Sequence, residues 1–286
     1  MRLPKGKGMF IWKLSDIESG NVKSVIEKAS FNNLEHILVK FADGRDPKQH
    51  DAIKTLMPIA REKKIEVWGW PYIYGNDPVE EAKLEGEWAI NLGFDGFVID
   101  AEVEYKNNKN KAILYMNSLR KTIPNMSVGL SSYWWKTAHS SFPWDEFMAG
   151  CDFVMPQVYW SSSKRDPVET LNTTIQQFSI YNKPIIPTGG DFGVNFKIEE
   201  LNAFMNRCIE LKIKSFNFWH WGSANQKIWD AIKNFEIPLE IDESSSWAKE
   251  AWGWAFKNGL MDGKNPKDNL TREMLATILY RFKNLK

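Results

Sequence analysis

Short apolar runs, rich in β-branched and aromatic residues, start near Gly8, His36, Ile65, Asp95, Met126, Asp152, Pro184 and Ser215. These eight runs constrain the fold more than any other feature, because they recur every 26 to 32 residues or so, roughly one strand–helix unit. The segments between them carry the apolar period of surface helices at 22–29, 51–63, 78–92, 109–122, 167–181 and 198–211. Several open on a capping pair, as at Asp77-Pro78 and Asp166-Pro167. Eight mostly apolar strands alternating with helices predict an α/β fold, a (β/α)8 TIM barrel with parallel strands inside and helices outside. A doubly wound open sheet is the alternative. It usually needs fewer strands and often carries a glycine-rich phosphate turn, which this sequence lacks.

The pattern stops after residue 235. A stretch with Pro238, four acids and Ser244-Ser245-Ser246 reads as a linker. The expected organisation is a barrel over 1–236, a linker over 237–245 and a small helix–loop–helix appendage over 246–286. Its first helix has a stripe of Trp247, Ala251, Trp254 and Ala255 closed by Gly259. Its second starts at Thr271, with Arg272 and Glu273 in the first turn and Leu275, Ile278, Leu279 and Phe282 as the apolar face. So short a piece makes little core of its own and is expected to pack on the barrel or on copies of itself.

Charge excludes some partners. With 37 Lys and Arg against 36 Asp and Glu, the chain has no electrostatic footprint for nucleic acid or an anionic membrane. No apolar run approaches the ~20 residues of a membrane span. Residues 1–13 lack the apolar core of a signal peptide, which predicts synthesis in the cytoplasm. Cys151 and Cys208 match no zinc or redox spacing and read as reduced core thiols.

The chemistry concentrates in Asp95-Gly-Phe-Val-Ile-Asp100-Ala-Glu102-Val-Glu104-Tyr105. If all of it is strand, Asp100, Glu102 and Glu104 share one face with Val98, while Phe97, Ile99 and Val103 face the helices. In a parallel barrel the shared face points inward and ends at the rim where barrel enzymes keep their chemistry. Carboxylates spaced by roughly 6.6 Å repel, so at least one should hold its proton. A protonated carboxyl beside an ionised one suits glycosidic bond cleavage. The plainer alternative is an acidic rim neutralised by Lys or Arg; an oxygen-rich Mg²⁺ or Ca²⁺ site is another.

Other strand ends supply a lining for sugar rings, which stack on aromatic faces and hydrogen-bond to planar polar groups. Trp68, Trp70, Tyr72 and Tyr74 alternate along strand three; Ser131 and Tyr133 end strand five; Gln157 and Tyr159 end strand six; Trp219 and Trp221 end strand eight. Lys40, ending strand two, pairs with the acids or orients Asp100, or is a plain surface lysine. The 14 tryptophans divide accordingly. Trp12, Trp68, Trp88 and Trp229 read as packing residues. Trp70, Trp160, Trp219 and Trp221 are candidates for sugar stacking, and Trp134, Trp135 and Trp144 for a cleft wall. The histidines approach no zinc spacing, and no serine has the context of an acyl-transfer nucleophile. No cofactor or metal is expected.

Asp95-Gly-Phe-Val-Ile-Asp-Ala-Glu102 resembles the strand-four signature of family 18 glycoside hydrolases, D-G-x-D-x-D-x-E. Met155-Pro-Gln-Val-Tyr159 resembles that family's Met-x-Tyr strand six with two residues inserted, and the strand-eight tryptophan recurs as Trp219 or Trp221. The resemblance implies Glu102 as general acid on the glycosidic oxygen. It implies that Asp100 holds the substrate N-acetyl group, which acts as internal nucleophile, and that Tyr159 helps to position it. One departure is Val98, where the family has an acid. Asp100-x-Glu102 also resembles the acidic pair of family 25 lysozyme barrels. Lys40-x-x-Asp43-Gly44 and Met-Pro-Gln-Val-Tyr-Trp160 resemble motifs of a glycoside-hydrolase-like barrel group.

The last segment resembles one S-layer homology repeat: Trp247-Ala-Lys-Glu-Ala, Asn258-Gly-Leu-Met-Asp-Gly and Leu270-Thr-Arg-Glu-Met-Leu-Ala. Such repeats bind wall polysaccharide, so Trp247, Thr271, Arg272 and Glu273 become candidate wall contacts. Phage endolysins of Firmicutes often join a catalytic domain to one such repeat. Together these imply a hydrolase of N-acetylated cell-wall glycan, peptidoglycan above all, acting at the wall after release. A wall-binding barrel without chemistry, and a structural protein that oligomerises through its appendage, are the competing classes.

Overall fold

The computed structural model describes residues 1–192, 196–238 and 244–284. Eight parallel strands close into a barrel: β1 Lys7–Ile11, β2 His36–Asp43, β3 Glu66–Tyr72, β4 Gly96–Asp100, β5 Val128–Tyr133, β6 Phe153–Val158, β7 Thr188–Asp191 and β8 Phe216–Trp219. Each pairs with the next in chain order, and β1 pairs with both β2 and β8, which closes the ring. A two-residue antiparallel extension, Asp46–Pro47, folds back on the end of β2. The α/β barrel expected from the spacing is therefore the fold, and an open sheet is excluded by the β1–β8 pairing.

Period-two alternation sorts the side chains. Phe10, Leu38, Trp68, Trp70, Val98, Phe153, Met155 and Ile186 form one cluster inside the barrel. Ile37, Val39, Phe97 and Ile99, of opposite parity, are fully buried under the helices. The Trp68 and Phe153 rings fit in so narrow a space because the neighbouring strands carry glycine at the same level. A Cβ on Gly96 would overlap the Trp68 ring, and one on Gly129 the Phe153 ring.

The helices follow their sequence signals. Pro78–Leu92 begins where Asp77 accepts the Glu80 amide proton and ends at Gly93 in the left-handed region (φ 74°). Lys109–Thr122 also has the predicted bounds. The 167–181 segment divides into the α-helix Pro167–Phe178 and a 3-10 turn, Ser179–Tyr181. A further helix, Trp144–Gly150, stands where only a loop was expected. It is under two turns long, too short for its period to show. Trp144 is consequently packed against Phe142 and Phe178 instead of walling a cleft.

The chain divides into two compact units, Met1–Glu236 and Ile237–Lys286. In the second, the helices Lys249–Lys257 and Arg272–Lys283 are joined by a loop, and Trp254 meets Phe282 with ring centroids 6.2 Å apart. Thr271 caps its helix by accepting the Met274 amide proton at 3.1 Å. On the apolar face expected of that helix, Leu279 is 57% and Phe282 55% exposed. Residues 239–243 of the expected linker and 285–286 of the expected repeat lie outside the described residues.

Candidate active site

The carboxylates gather at the C-terminal mouth of the barrel, though not as a continuous strand. β4 ends at Asp100, Glu102 leaves extended geometry (φ −136°, ψ −131°), and Glu104 lies in a 3-10 turn, Val103–Tyr105. The reason is the ladder. Beyond Asp100 the backbone makes one more bond to β5, from the Ala101 amide to the Ser131 carbonyl, and Ser132 Oγ then takes the Ala101 carbonyl. Val103, expected to face the helices, is turned outward and 58% exposed.

Gln157, near the end of β6, links the acids. Its Nε2 donates to Asp100 Oδ1 at 3.1 Å and Glu102 Oε1 at 3.0 Å, with Ser131 Oγ at 3.4 Å. Sharing one nitrogen keeps these carboxylate oxygens within two hydrogen-bond lengths of each other. Glu104 faces β3 instead, accepting from Tyr72 Oη at 2.8 Å. Asp100 is buried. Its burial and then the charge of Glu102 push its carboxyl well above the usual range, with Lys40 opposing. Burial raises Glu102 as well, and Glu104 adds to this, while the Gln157 hydrogen bond and Lys106 oppose it. Two interacting acids of this kind hold a proton between them above ordinary carboxylate pH.

The aromatic lining is partly as expected. Trp219, half-buried at the end of β8, packs on Phe10 and Trp70 and lies 6.5 Å from the Tyr159 ring; the Trp219–His220 peptide is cis. Tyr133 stacks on His139 at 3.7 Å, and burial with the three acids pushes its hydroxyl up to about 12. Tyr72 is raised too, by burial first and by its bond to Glu104 second. Lys40 is 8% exposed, pairs with Asp43 at 3.2 Å and lies over the Trp70 and Tyr72 rings, so it is not a plain surface lysine.

Three tryptophans proposed for sugar stacking have no free face. Trp70 sits in the barrel interior, its indole N–H aimed at the Ile11 and Leu38 carbonyls. Trp221 is buried against Trp229 and donates to Glu18. Trp160 is fully buried against Phe204. Conversely Trp12, read as packing, is 48% exposed. Its signal was position: it is the first residue beyond β1, at the rim. Trp134 and Trp135 stack on each other after β5 beneath Arg165. Among the described residues no group of three or more His, Cys, Asp or Glu is arranged to hold a metal ion.

No family model matches the chain, and no curated protein matches it. Its fold is similar to several solved enzymes. The endo-1,4-beta-mannanase from Rhizomucor miehei superposes with TM-score 0.63 at 11% identity, over 80% of this chain and 93% of that one. The spore cortex-lytic enzyme SleL of Bacillus megaterium QM B1551 gives 0.59 at 12%, over 83% and 75%. The catalytic domain of a hyperthermophilic chitinase from Pyrococcus furiosus gives 0.59 at 11%, over 81% and 94%. At such identities the likeness establishes the barrel.

Proposed function

We propose that the barrel is a glycoside hydrolase acting on N-acetylated cell-wall glycan, with peptidoglycan as the foremost substrate. The observation that carries this is the Gln157 amide bridging Asp100 and Glu102 at the mouth, both with raised proton affinity. Mannan, spore cortex and chitin are the glycans named for enzymes of similar fold.

Without substrate, burial puts the pair's proton on Asp100, the deeper group. An acetamido N–H donated to Asp100 favours its ionised form and moves the proton to Glu102. Glu102 then protonates the glycosidic oxygen as that bond breaks. The acetamido oxygen bonds to the anomeric carbon from the opposite face, and water later opens the ring so formed, giving its proton to Glu102. The short separation of the pair suits this route; an inverting pair needs ~6.5–9.5 Å to admit its water. In this reading Tyr159, whose ring lies 6.5 Å from that of Trp219, helps to position the acetamido group.

The test is reducing-end release and turbidity loss from purified peptidoglycan. Glu102→Gln should lose about 100-fold or more in kcat, and product anomers followed by NMR should show retention. Equal inertness of both proteins on peptidoglycan and chitin oligomers sinks the hydrolase.

Val98 favours a second reading. It is fully buried in the apolar interior where a proton relay behind Asp100 would need an acid, which suits a wall-binding barrel without turnover. Binding unchanged by Glu102→Gln, with no product, would support it. For the second unit the proposed role is wall targeting, as in an endolysin, or self-association. What supports this is that Trp247 is 88% exposed and the other candidate contacts, Thr271, Arg272 and Glu273, are exposed as well.

A further inference from the structure

On the β1 and β2 side of the mouth is a cavity of about 440 Å³ lined by Trp12, Lys13, Lys40, Asp43, Lys48 and Gln49. That volume falls among the ~300–1,000 Å³ of small-ligand sites. Its lining holds three ammonium groups and one carboxylate.

The counter-charges of two of these lysines lie outside the lining. Lys48 pairs with Asp46, whose side chain is 65% exposed. The acid nearest Lys13 is Asp16, at 3.9 Å with both side chains more than half exposed. Exposed pairs of this kind are weak and screened, so their ammoniums remain able to meet an anion. Lys40 differs: held by Asp43, it lines the cavity and lies over the Trp70 and Tyr72 rings, and the Tyr72 hydroxyl in turn bonds Glu104 of the acid cluster. Lys40 and Tyr72 thus stand between the cavity and the acids.

The floor is a built one. Gln49 Nε2 donates to the Trp12 carbonyl at 3.0 Å and the Lys40 carbonyl at 2.7 Å, and its Oε1 accepts the Leu14 amide proton at 2.7 Å. One side chain thereby ties the loop after β1 to β2, with its own backbone in the left-handed region (φ 50°). The tie holds the Trp12 backbone, while its half-exposed ring makes an edge contact to His220 at 6.2 Å and has the Lys13 ammonium 5.4 Å from its centroid.

We infer that this cavity is a subsite for an anionic group, carboxylate or phosphate, on a sugar adjoining the one that is cleaved. Trp12 takes the C–H face of that sugar, and Lys13 and Lys48 take its charge. A lysine ammonium is a compact point charge that accepts either anion, whereas a neutral sugar needs only the ring. The inference rests on the hydrolase proposed for the neighbouring acids and adds that its glycan is acidic.

The experiment uses full-length protein and three probes: peptide-free peptidoglycan strands with free muramyl carboxylates, the same strands amidated with methylamine, and poly(glycerol phosphate). Binding is measured on Glu102→Gln, and hydrolysis on the otherwise native chain. Free-acid strands should bind about tenfold more tightly than amidated ones, with a preference that fades as salt rises. Lys13→Gln/Lys48→Gln should narrow that ratio and act through KM more than kcat. Trp12→Ala should weaken both kinds of strand alike. Competition by poly(glycerol phosphate), lost in the lysine variant, would identify phosphate as the anion's source.

Equal binding of free and amidated strands, without such competition, overturns the subsite. So does a preference that the lysine variant leaves intact. Glu102-dependent cleavage with no acid preference removes this inference alone. An acid preference with no cleavage by any variant removes the hydrolase alone.

Discussion

Burial raises the proton affinity of Glu102, and one amide, that of Gln157, opposes this while fixing the spacing of its partner. Its hydrogen bond favours ionised Glu102, so losing it raises that carboxyl further. If Glu102 is the acid, it works only while protonated, and the alkaline limb of kcat, which reports the substrate complex, lies where it ionises. Gln157→Leu should therefore move that limb to higher pH, while the rate at the optimum falls about ten- to a hundredfold from lost alignment. A limb that stays in place or moves to lower pH would remove Glu102 from the acid role.

A second residue-scale case is Glu85, fully buried, with one oxygen bonded by Tyr115 and the other without a partner among the described residues. Burial, then the charge of Glu81, pushes its carboxyl well above the usual range. The stability it contributes is full below the unfolded pKa and is lost as pH rises through the raised folded value. Glu85→Gln removes that loss and keeps an acceptor for Tyr115. Its advantage in melting temperature should grow to a few degrees from about pH 4 to about pH 8. Denaturation at both pH values checks this, and a variant less stable than the native chain at the higher pH would contradict it.

At the scale of elements, strands and helices were legible wherever period and punctuation agreed. Asp77-Pro78 and Gly93 bracket a helix whose two ends are both marked in sequence. The run from Asp95 to Tyr105 was legible only in part. Alternation continues past Asp100 in the sequence, but a strand lasts only as long as its neighbours supply ladder bonds, and β5 supplies one more. Glu102 and Glu104 reach the mouth by a turn. Close packing of elements also makes a test. Gly96→Ala forces a methyl into the Trp68 ring and should cost about 1–3 kcal/mol, read as a lowered denaturant midpoint with unchanged m. A neutral effect would mean that the barrel interior is looser than described.

For the whole molecule, the contact boundary at Glu236 makes the organisation testable. A chain ending there should melt cooperatively within a few degrees of the full-length protein and cleave soluble oligosaccharide. If the second unit targets the wall, the short form should lose binding to insoluble wall. Pelleting with purified walls, beside activity on a soluble substrate, separates the two roles. Equal pelleting of both forms would put wall binding in the barrel.

The sequence by itself determined the closed parallel barrel, the helix caps and the strand whose end carries the acids. All of these rest on local periods of two and 3.6 residues and on capping chemistry written within a few positions. It did not determine which aromatics line a cleft. Trp70 and Trp219 both face inward by strand parity, yet one is sealed in the interior and the other is half-buried at the mouth. Depth along the barrel axis depends on how eight strands stagger as they close, a property of the whole ring. The same closure places Gln157 against Asp100 and Glu102 across more than fifty residues of chain, and the tie made by Gln49 fixes Trp12 at the rim. Those pairings belong to the tertiary structure, because no local spacing in the chain encodes them.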